Sequence, residues 1–374
     1  MTVFFRYFVM LLLTLPVCYA QYSLPDEIIF AGRKVPLDKF DVRDRLSKTF
    51  NIMVLDRRGF IQNLLDKQPY FIPDAKEIFN QYGVNEDLVY IMPVESEFDP
   101  RSYSEAKASG LWQLMPATAK MYGLRVDNFA DERNLPDKST KAAAEHLKML
   151  SKLFSDDPFL IIAAYNNGDS NVRSTLESQK SGDFWETRSN HETEFYLEKV
   201  IVYKILLSDP EKYGFTVPVK KKEPQYESCT LNLGSKNLDF SEICEILKIS
   251  YRQLYKFNPH IKFGSYKSGG YISKYTSLDV IIPKGATEKL ISELKKRNFM
   301  AGSSEIPSSG TNSGYGTPES IYEIKYNDNI ESIAFKYGVD WRDLAEKNNL
   351  KIVTLPSGVE TAEVSKGQKI RIMR

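Results

Sequence analysis

The chain has 374 residues, 42% of them hydrophobic and 26% charged, an ordinary globular balance with room for roughly two to three domains. Lys and Arg number 50 against 49 Asp and Glu, a formal net charge of +1, so no general field draws in nucleic acid or an anionic membrane. The three histidines (His146, His191, His260) and three cysteines (Cys18, Cys229, Cys244) include no pair at metal-ligand spacing, so neither a metal nor a cofactor is expected.

Arg6 precedes an apolar run from Tyr7 to Tyr19, and Cys18-Tyr19-Ala20 offers small residues to a signal peptidase, so residues 1–20 read as a signal peptide cut after Ala20. The run spans about 13 residues and is broken by Thr14 and Pro16, short of the roughly 20 that a membrane span needs. Export to the periplasm or cell envelope follows. Membrane attachment arises only if Cys18 is lipidated or the signal is retained, and Val17 stands where a lipoprotein pattern wants a small residue. In an oxidising compartment a short-loop bridge between Cys229 and Cys244 is the default.

Residues 21–217 read as one helical domain with a core at about 83–205. Ala143, Leu147, Leu150 and Phe154 recur at spacings of four, three and four behind a Ser139 or Thr140 cap, which predicts one buried helix face. Pro158 opens a second run, Phe159 to Ala164, apolar on all sides and closed by Gly168, as a helix in the centre of a domain would be. A third, amphipathic stretch runs from Phe195 to Tyr203. No period-two alternation of comparable strength occurs before residue 217.

A lysine run between prolines, Pro218 to Pro224, marks a boundary, and Gly, Ser and Pro dominate a linker at 299–318. The modules on either side of that linker, 225–298 and 319–374, repeat each other at an offset of 90: Ile249 falls on Val339, Tyr251 on Trp341, Leu254 on Leu344 and Asn258 on Asn348. Each reads as β-α-α-β, with final strands at Leu278–Pro283 and Lys369–Met373 and a first strand of the second copy at Ile321–Lys325. Such a unit buries only a small core.

One carboxylic acid stands out. The apolar run Leu88 to Val94 ends at Glu95-Ser96, and a carboxyl held at the edge of a core has its pKa raised toward that of a general acid; the same residue could instead cap the turn at Asp99-Pro100. Gln113 lies inside an apolar run, Tyr165, Asn166 and Asn167 sit where the central helix ends, and Tyr196 heads the third stretch. Each alone reads as core or cap. Together, one acid and many neutral hydrogen-bonders are what a sugar cleft requires.

From Arg58 to Tyr213 the sequence resembles the catalytic domain of the lytic transglycosylases of bacterial cell-wall peptidoglycan, in particular the membrane-bound murein type D branch. The resemblance rests on Glu95-Ser96-Glu97-Phe98-Asp99-Pro100, Gly110 to Gln113, Ala164-Tyr165-Asn166 and Glu192-Thr193-Glu194-Phe195-Tyr196, in the family's order, with Tyr70-Phe71-Ile72-Pro73 upstream. The two C-terminal repeats resemble LysM modules, which bind N-acetylglucosamine polymers, the first copy being degenerate with an insertion around Phe263 to Thr276.

The resemblance implies an α+β chain, a mainly α-helical lysozyme-like domain followed by two βααβ modules. It also implies non-hydrolytic cleavage between N-acetylmuramic acid and N-acetylglucosamine to 1,6-anhydromuramic ends. Glu95 would be the sole acid and base, and Ser96, Gln113, Tyr165, Asn166 and Tyr196 substrate positioners. Trp112 departs from the family's usual Met and is expected to reshape the cleft wall. Two alternatives stay open: a muramidase in which Glu97, Asp99 or Glu105 activates water, and a non-catalytic LysM protein that only binds peptidoglycan.

Overall fold

The computed structural model describes residues 22–127, 129–217, 219, 225–233, 237–262, 271–272 and 277–300, and toward the C terminus 319–324, 330, 333–334, 341–354 and 360–373. The signal segment with Cys18 and nearly all of the linker lie outside the described residues.

The first unit is helical apart from a small hairpin of two-residue strands, β1 (Ile29–Phe30) and β2 (Arg33–Lys34). Its helices are α1 (Phe40–Asn51), α2 (Arg58–Lys67), α3 (Ile72–Tyr82), α4 (Ile91–Ser96), α5 (Pro116–Met121), α6 (Pro136–Leu153), α7 (Pro158–Asn167), α8 (Asp169–Gln179) and α9 (His191–Ser208). One apolar core runs from Leu24 to Phe215.

Ala143, Leu147 and Leu150 of α6 and Phe154 just after it are buried, as are Ala142, Ala144, Met149 and Leu153. The helix starts a turn earlier than the cap residues suggested, because Pro136 at its first position already fixes a helical φ. Ser139 therefore lies inside the helix, its hydroxyl donating to the carbonyl of Leu135 at 2.8 Å.

Asp157 caps α7 through the backbone N–H groups of Phe159 and Leu160. Every residue of α7 from Pro158 to Ala164 is buried, as its all-round apolar sequence requires. The Phe195–Tyr203 stretch differs from its amphipathic reading. In α9, Tyr196, Leu197, Val200, Ile201, Val202, Tyr203, Leu206 and Leu207 are buried on several faces, because α1, α2, α4 and α7 pack around it.

The middle module pairs β3 (Tyr226–Asn232) antiparallel with β6 (Ser277–Pro283), Cys229 lying opposite Val280. Between them lie β4 (Leu238–Asp239), α10 (Phe240–Leu247), α11 (Tyr251–Phe257) and β5 (Tyr271–Ile272), and α12 (Thr287–Lys296) follows. The C-terminal module pairs β7 (Glu319–Glu323) with β10 (Lys369–Met373) around α13 (Trp341–Lys347), with β8 (Ile352–Thr354) against β9 (Glu360–Ala362).

The 90-residue repeat is visible in individual bonds. Asn258 donates to the carbonyls of Leu254 and Ile281 and accepts from the Ile281 N–H. Asn348 donates to the carbonyls of Leu344 and Arg371 and accepts from the Arg371 N–H. In both modules one amide side chain ties the second helix to the last strand.

The expected Cys229–Cys244 bridge is not formed. Both residues are free thiols: Cys229 is buried on the inner face of β3, its thiol bonded to Thr287, and Cys244 packs half-buried from α10. The shared apolar core, closed by α12, holds the strand and helix together without the crosslink.

The middle module is stitched to the helical unit. Ala130 bridges Ile261, the Asp131 N–H donates to the carbonyl of His260 at 2.8 Å, Asn134 donates to that of Pro259, and Lys138 pairs with Asp279 at 2.8 Å. No described helix is long and apolar enough to cross a membrane.

Candidate active site

A 3₁₀ turn at Glu86–Tyr90, capped by Asn85, leads directly into α4. Its apolar residues Leu88 to Pro93 are buried, so α4 is fixed in the core and Glu95 emerges part-buried at its last turn. Glu97 and Phe98 both adopt left-handed φ, 54° and 58°, and this sharp bend ends the helix. Phe98 turns back into the core to stack on Phe71, ring centroids 5.9 Å apart.

The Tyr196 hydroxyl on α9 donates to Glu95 Oε1 at 2.5 Å. Burial pushes the Glu95 carboxyl up to about 7, while the bond from Tyr196 and the charge of Lys199 pull it down and Glu192 pushes it up. The environment thus holds a carboxylic acid that is protonated or ionised with comparable ease near neutral pH. Burial keeps Tyr165 and Tyr196 well above the usual phenol range, reinforced by the Glu95 charge, so both remain neutral donors.

Three of the residues singled out from the sequence hold the wall of the site. Ser96 is buried, and its hydroxyl lies 2.8 Å from the Leu111 carbonyl and 3.2 Å from that of Met92. The Tyr165 hydroxyl donates to the Trp112 carbonyl at 2.7 Å. Gln113 sits at φ 45° and its amide nitrogen donates to the carbonyls of Gly110 and Ser102. Its amide oxygen has no hydrogen-bond partner among the described residues. Asn166 Oδ1 accepts from the Thr193 hydroxyl at 2.9 Å, tying the end of α7 to the start of α9.

The loop carrying Gln113 is braced from behind by a buried ion pair. Arg133 binds both carboxylate oxygens of Asp131, and its guanidinium also donates to the carbonyls of Lys107 and Leu114, each at 2.7 Å. Gly110 lies against the same residue: a Cβ there would stand 1.9 Å from the Arg133 carbonyl oxygen.

Trp112 does not line the cleft. It is fully buried, stacked on Phe79 with centroids 5.3 Å apart, and its indole N–H donates to Thr140 at 2.9 Å. The expected change of cleft wall is therefore replaced by a change of core packing; only the Trp112 carbonyl reaches Tyr165.

Among the acids weighed as a second catalytic group, Asp99 is engaged by the Arg101 N–H at 2.8 Å and Glu105 is exposed. Lys199 was missed in the sequence, although its place three positions after Tyr196 on one helix was the available signal. Among the described residues no three His, Cys, Asp or Glu side chains come together as metal ligands.

Residues 75–187 match the family described as the transglycosylase SLT domain, and residues 322–358 match the LysM domain. The chain carries a transglycosylase SLT domain followed by a LysM domain. It is 29% identical over 298 residues to the membrane-bound lytic murein transglycosylase D of Escherichia coli K12, an alignment covering 79% of this chain and 63% of that protein. The peptidoglycan transglycosylase gp16 of Escherichia phage T7 is 37% identical over 105 residues, 27% of this chain and 8% of gp16. An inactive lytic transglycosylase Slt from Pseudomonas aeruginosa overlays with a TM-score of 0.33 at 24% identity, over 39% of this chain and 25% of that one. The SLT match contains Glu95, Gln113, Tyr165 and Asn166, and Tyr196 lies just beyond its end.

Proposed function

We propose that the chain is a peptidoglycan lytic transglycosylase of the cell envelope, with Glu95 as its single acid and base. The observation that carries the reading is the pairing of a part-buried carboxyl, raised to about 7 and lying within the segment that matches the SLT domain, with the Tyr196 hydroxyl at 2.5 Å.

In the first step the protonated Glu95 gives its proton to the oxygen leaving C1 of N-acetylmuramic acid, and the glycosidic bond breaks. The developing oxocarbenium charge faces neutral oxygens and a nascent carboxylate, which stabilise it. In the second step the Glu95 carboxylate takes the proton of the sugar's C6 hydroxyl, whose oxygen bonds to C1. A 1,6-anhydro ring results, Glu95 is protonated again and no water is consumed. One carboxyl suffices because its pKa lies where both forms are accessible.

Tyr196 steadies the carboxylate between the two steps, and the Gln113 amide oxygen, Asn166 and the rings of Tyr165 and Tyr196 hold the sugars. Ser96 acts through the Leu111 carbonyl by fixing the Gln113 turn. The LysM domain would bind N-acetylglucosamine-containing strands, and the middle module is read as a degenerate copy fixed to the catalytic unit.

Mass spectrometry of muropeptides released from purified sacculi tests this. The wild-type protein is expected to release 1,6-anhydromuramic ends and Glu95→Gln none. Reducing muramic ends would establish hydrolysis instead, and equal release by both proteins would remove Glu95 from the chemistry.

A further inference from the structure

Beyond Tyr165, α6 presents a side chain that the acid–base steps do not use. The ring of His146 lies 5.6 Å from that of Tyr165 and 5.7 Å from that of Tyr122, centroid to centroid, and its Nδ1 is 3.1 Å from the Tyr122 hydroxyl. Its Nε2 has no hydrogen-bond partner among the described residues, yet it is not one of the polar atoms sealed from solvent. An imidazole that merely fills a core is either enclosed by apolar groups or satisfied at both nitrogens. Here one nitrogen is held and the other opens to solvent, beside the tyrosine that feels the charge of Glu95.

The protonation state follows from the surroundings. The nearby carboxylates, Glu145 on α6 and Asp169 on α8, act on Tyr122, and among the described residues none pairs with His146. Burial pushes the imidazole down to about 4, so it is neutral at physiological pH. The bond between the Tyr122 hydroxyl and Nδ1 takes either direction according to the tautomer, and with the phenol as donor the ring proton sits on Nε2. The exposed nitrogen is then a neutral donor, which suits the uncharged oxygen of a sugar better than a phosphate or carboxylate.

We propose that His146 is a substrate-binding residue whose Nε2–H donates to a hydroxyl or acetamido oxygen of a hexosamine in the glycan strand, with Tyr122 fixing the tautomer. The proposal rests on the glycan-cleaving reading and extends its cleft along α6.

The test uses the full chain. In ¹⁵N-imidazole NMR of the uncleaving Glu95→Gln protein, a tetrasaccharide of alternating N-acetylglucosamine and N-acetylmuramic acid is expected to shift the Nε2 signal of His146, leaving His191 and His260 in place. In kinetics on the same strands, His146→Phe keeps a ring in the packing and is expected to raise KM about tenfold with kcat nearly unchanged. His146→Gln, which keeps a donor, should recover most of that loss. Saturable binding with no shift at His146, or a wild-type KM for a folded His146→Phe, would overturn the proposal. Release of neither anhydromuramic nor reducing muramic ends by the wild-type protein would overturn the glycan-cleaving reading first, and His146 with it.

Discussion

The Tyr196 hydroxyl donates to Glu95 Oε1 across 2.5 Å, joining the last turn of α4 to the first turns of α9. A donor to a carboxylate stabilises its ionised form, so this bond opposes the burial that raises Glu95. Tyr196→Phe should therefore raise the Glu95 pKa further and move the alkaline limb of the kcat/KM profile upward, while slowing the first step, in which the weaker acid gives up its proton less readily. A pH–rate profile of glycan cleavage by the two proteins checks both effects.

Glu95 also sets a pH dependence of stability. Its carboxyl is raised from 4.5 to about 7 in the folded chain. Below pH 4.5 it is protonated folded or unfolded and contributes no pH dependence. Between those values the unfolded carboxyl ionises first, the folded state holds the extra proton, and stability falls as pH rises. The loss levels off above pH 7 at about 3 kcal/mol. Glu95→Gln removes the titration, so its Tm relative to wild type should be distinctly higher at pH 8 than at pH 4.5. Calorimetry giving the same difference at both pH values would contradict this.

Gly110→Ala should abolish most activity. Its φ of 82° is strained for alanine, and the added Cβ would meet the Arg133 carbonyl at 1.9 Å. The Gln113 turn must then move off the Asp131–Arg133 pair. Comparison of kcat/KM with Tm separates the displaced turn from global unfolding: activity is expected to fall by more than the unfolded fraction accounts for.

Trp112→Ala is expected to destabilise the chain by about 3–5 kcal/mol, the cost of an aromatic-sized core cavity, because the indole is fully buried against Phe79. Trp112→Met refills part of that volume but forfeits the bond to Thr140, so it should lie between the two. Urea unfolding followed by circular dichroism gives the order.

Asn258→Ala leaves the Ile281 N–H without its acceptor and two carbonyls without a donor. The expected cost is about 1–3 kcal/mol, and Asn348→Ala should cost less in the C-terminal module, where both bonds to Arg371 are exposed. Hydrogen exchange resolves the two modules, with protection expected to fall at Ile281 in one variant and at Arg371 in the other.

Helix periodicity was legible wherever one element alone decided it. The burial of Ala143, Leu147 and Leu150 in α6 and the all-round apolar α7 followed from residue spacing. The burial of α9 did not, because it depends on which helices surround it, and neither did the two-residue hairpin of β1 and β2, too short to carry an alternation. Ser139 was a poor guide to the start of α6, since Pro136 had already set the helical φ.

By itself the sequence determined the helical domain followed by βααβ repeats, the 90-residue register that puts Asn258 and Asn348 in the same bonds, and the prominence of one acid at the end of an apolar run. Those properties are local, or are copied along the chain. Only the tertiary structure decided that Trp112 turns inward, that the two module thiols stay apart, that Ser96 holds a wall, and that Tyr196, Lys199 and His146 gather around the Glu95–Tyr165 surface. Side-chain direction and pKa depend on neighbours from distant segments, and here α4, α6, α7 and α9 meet across more than a hundred residues of sequence.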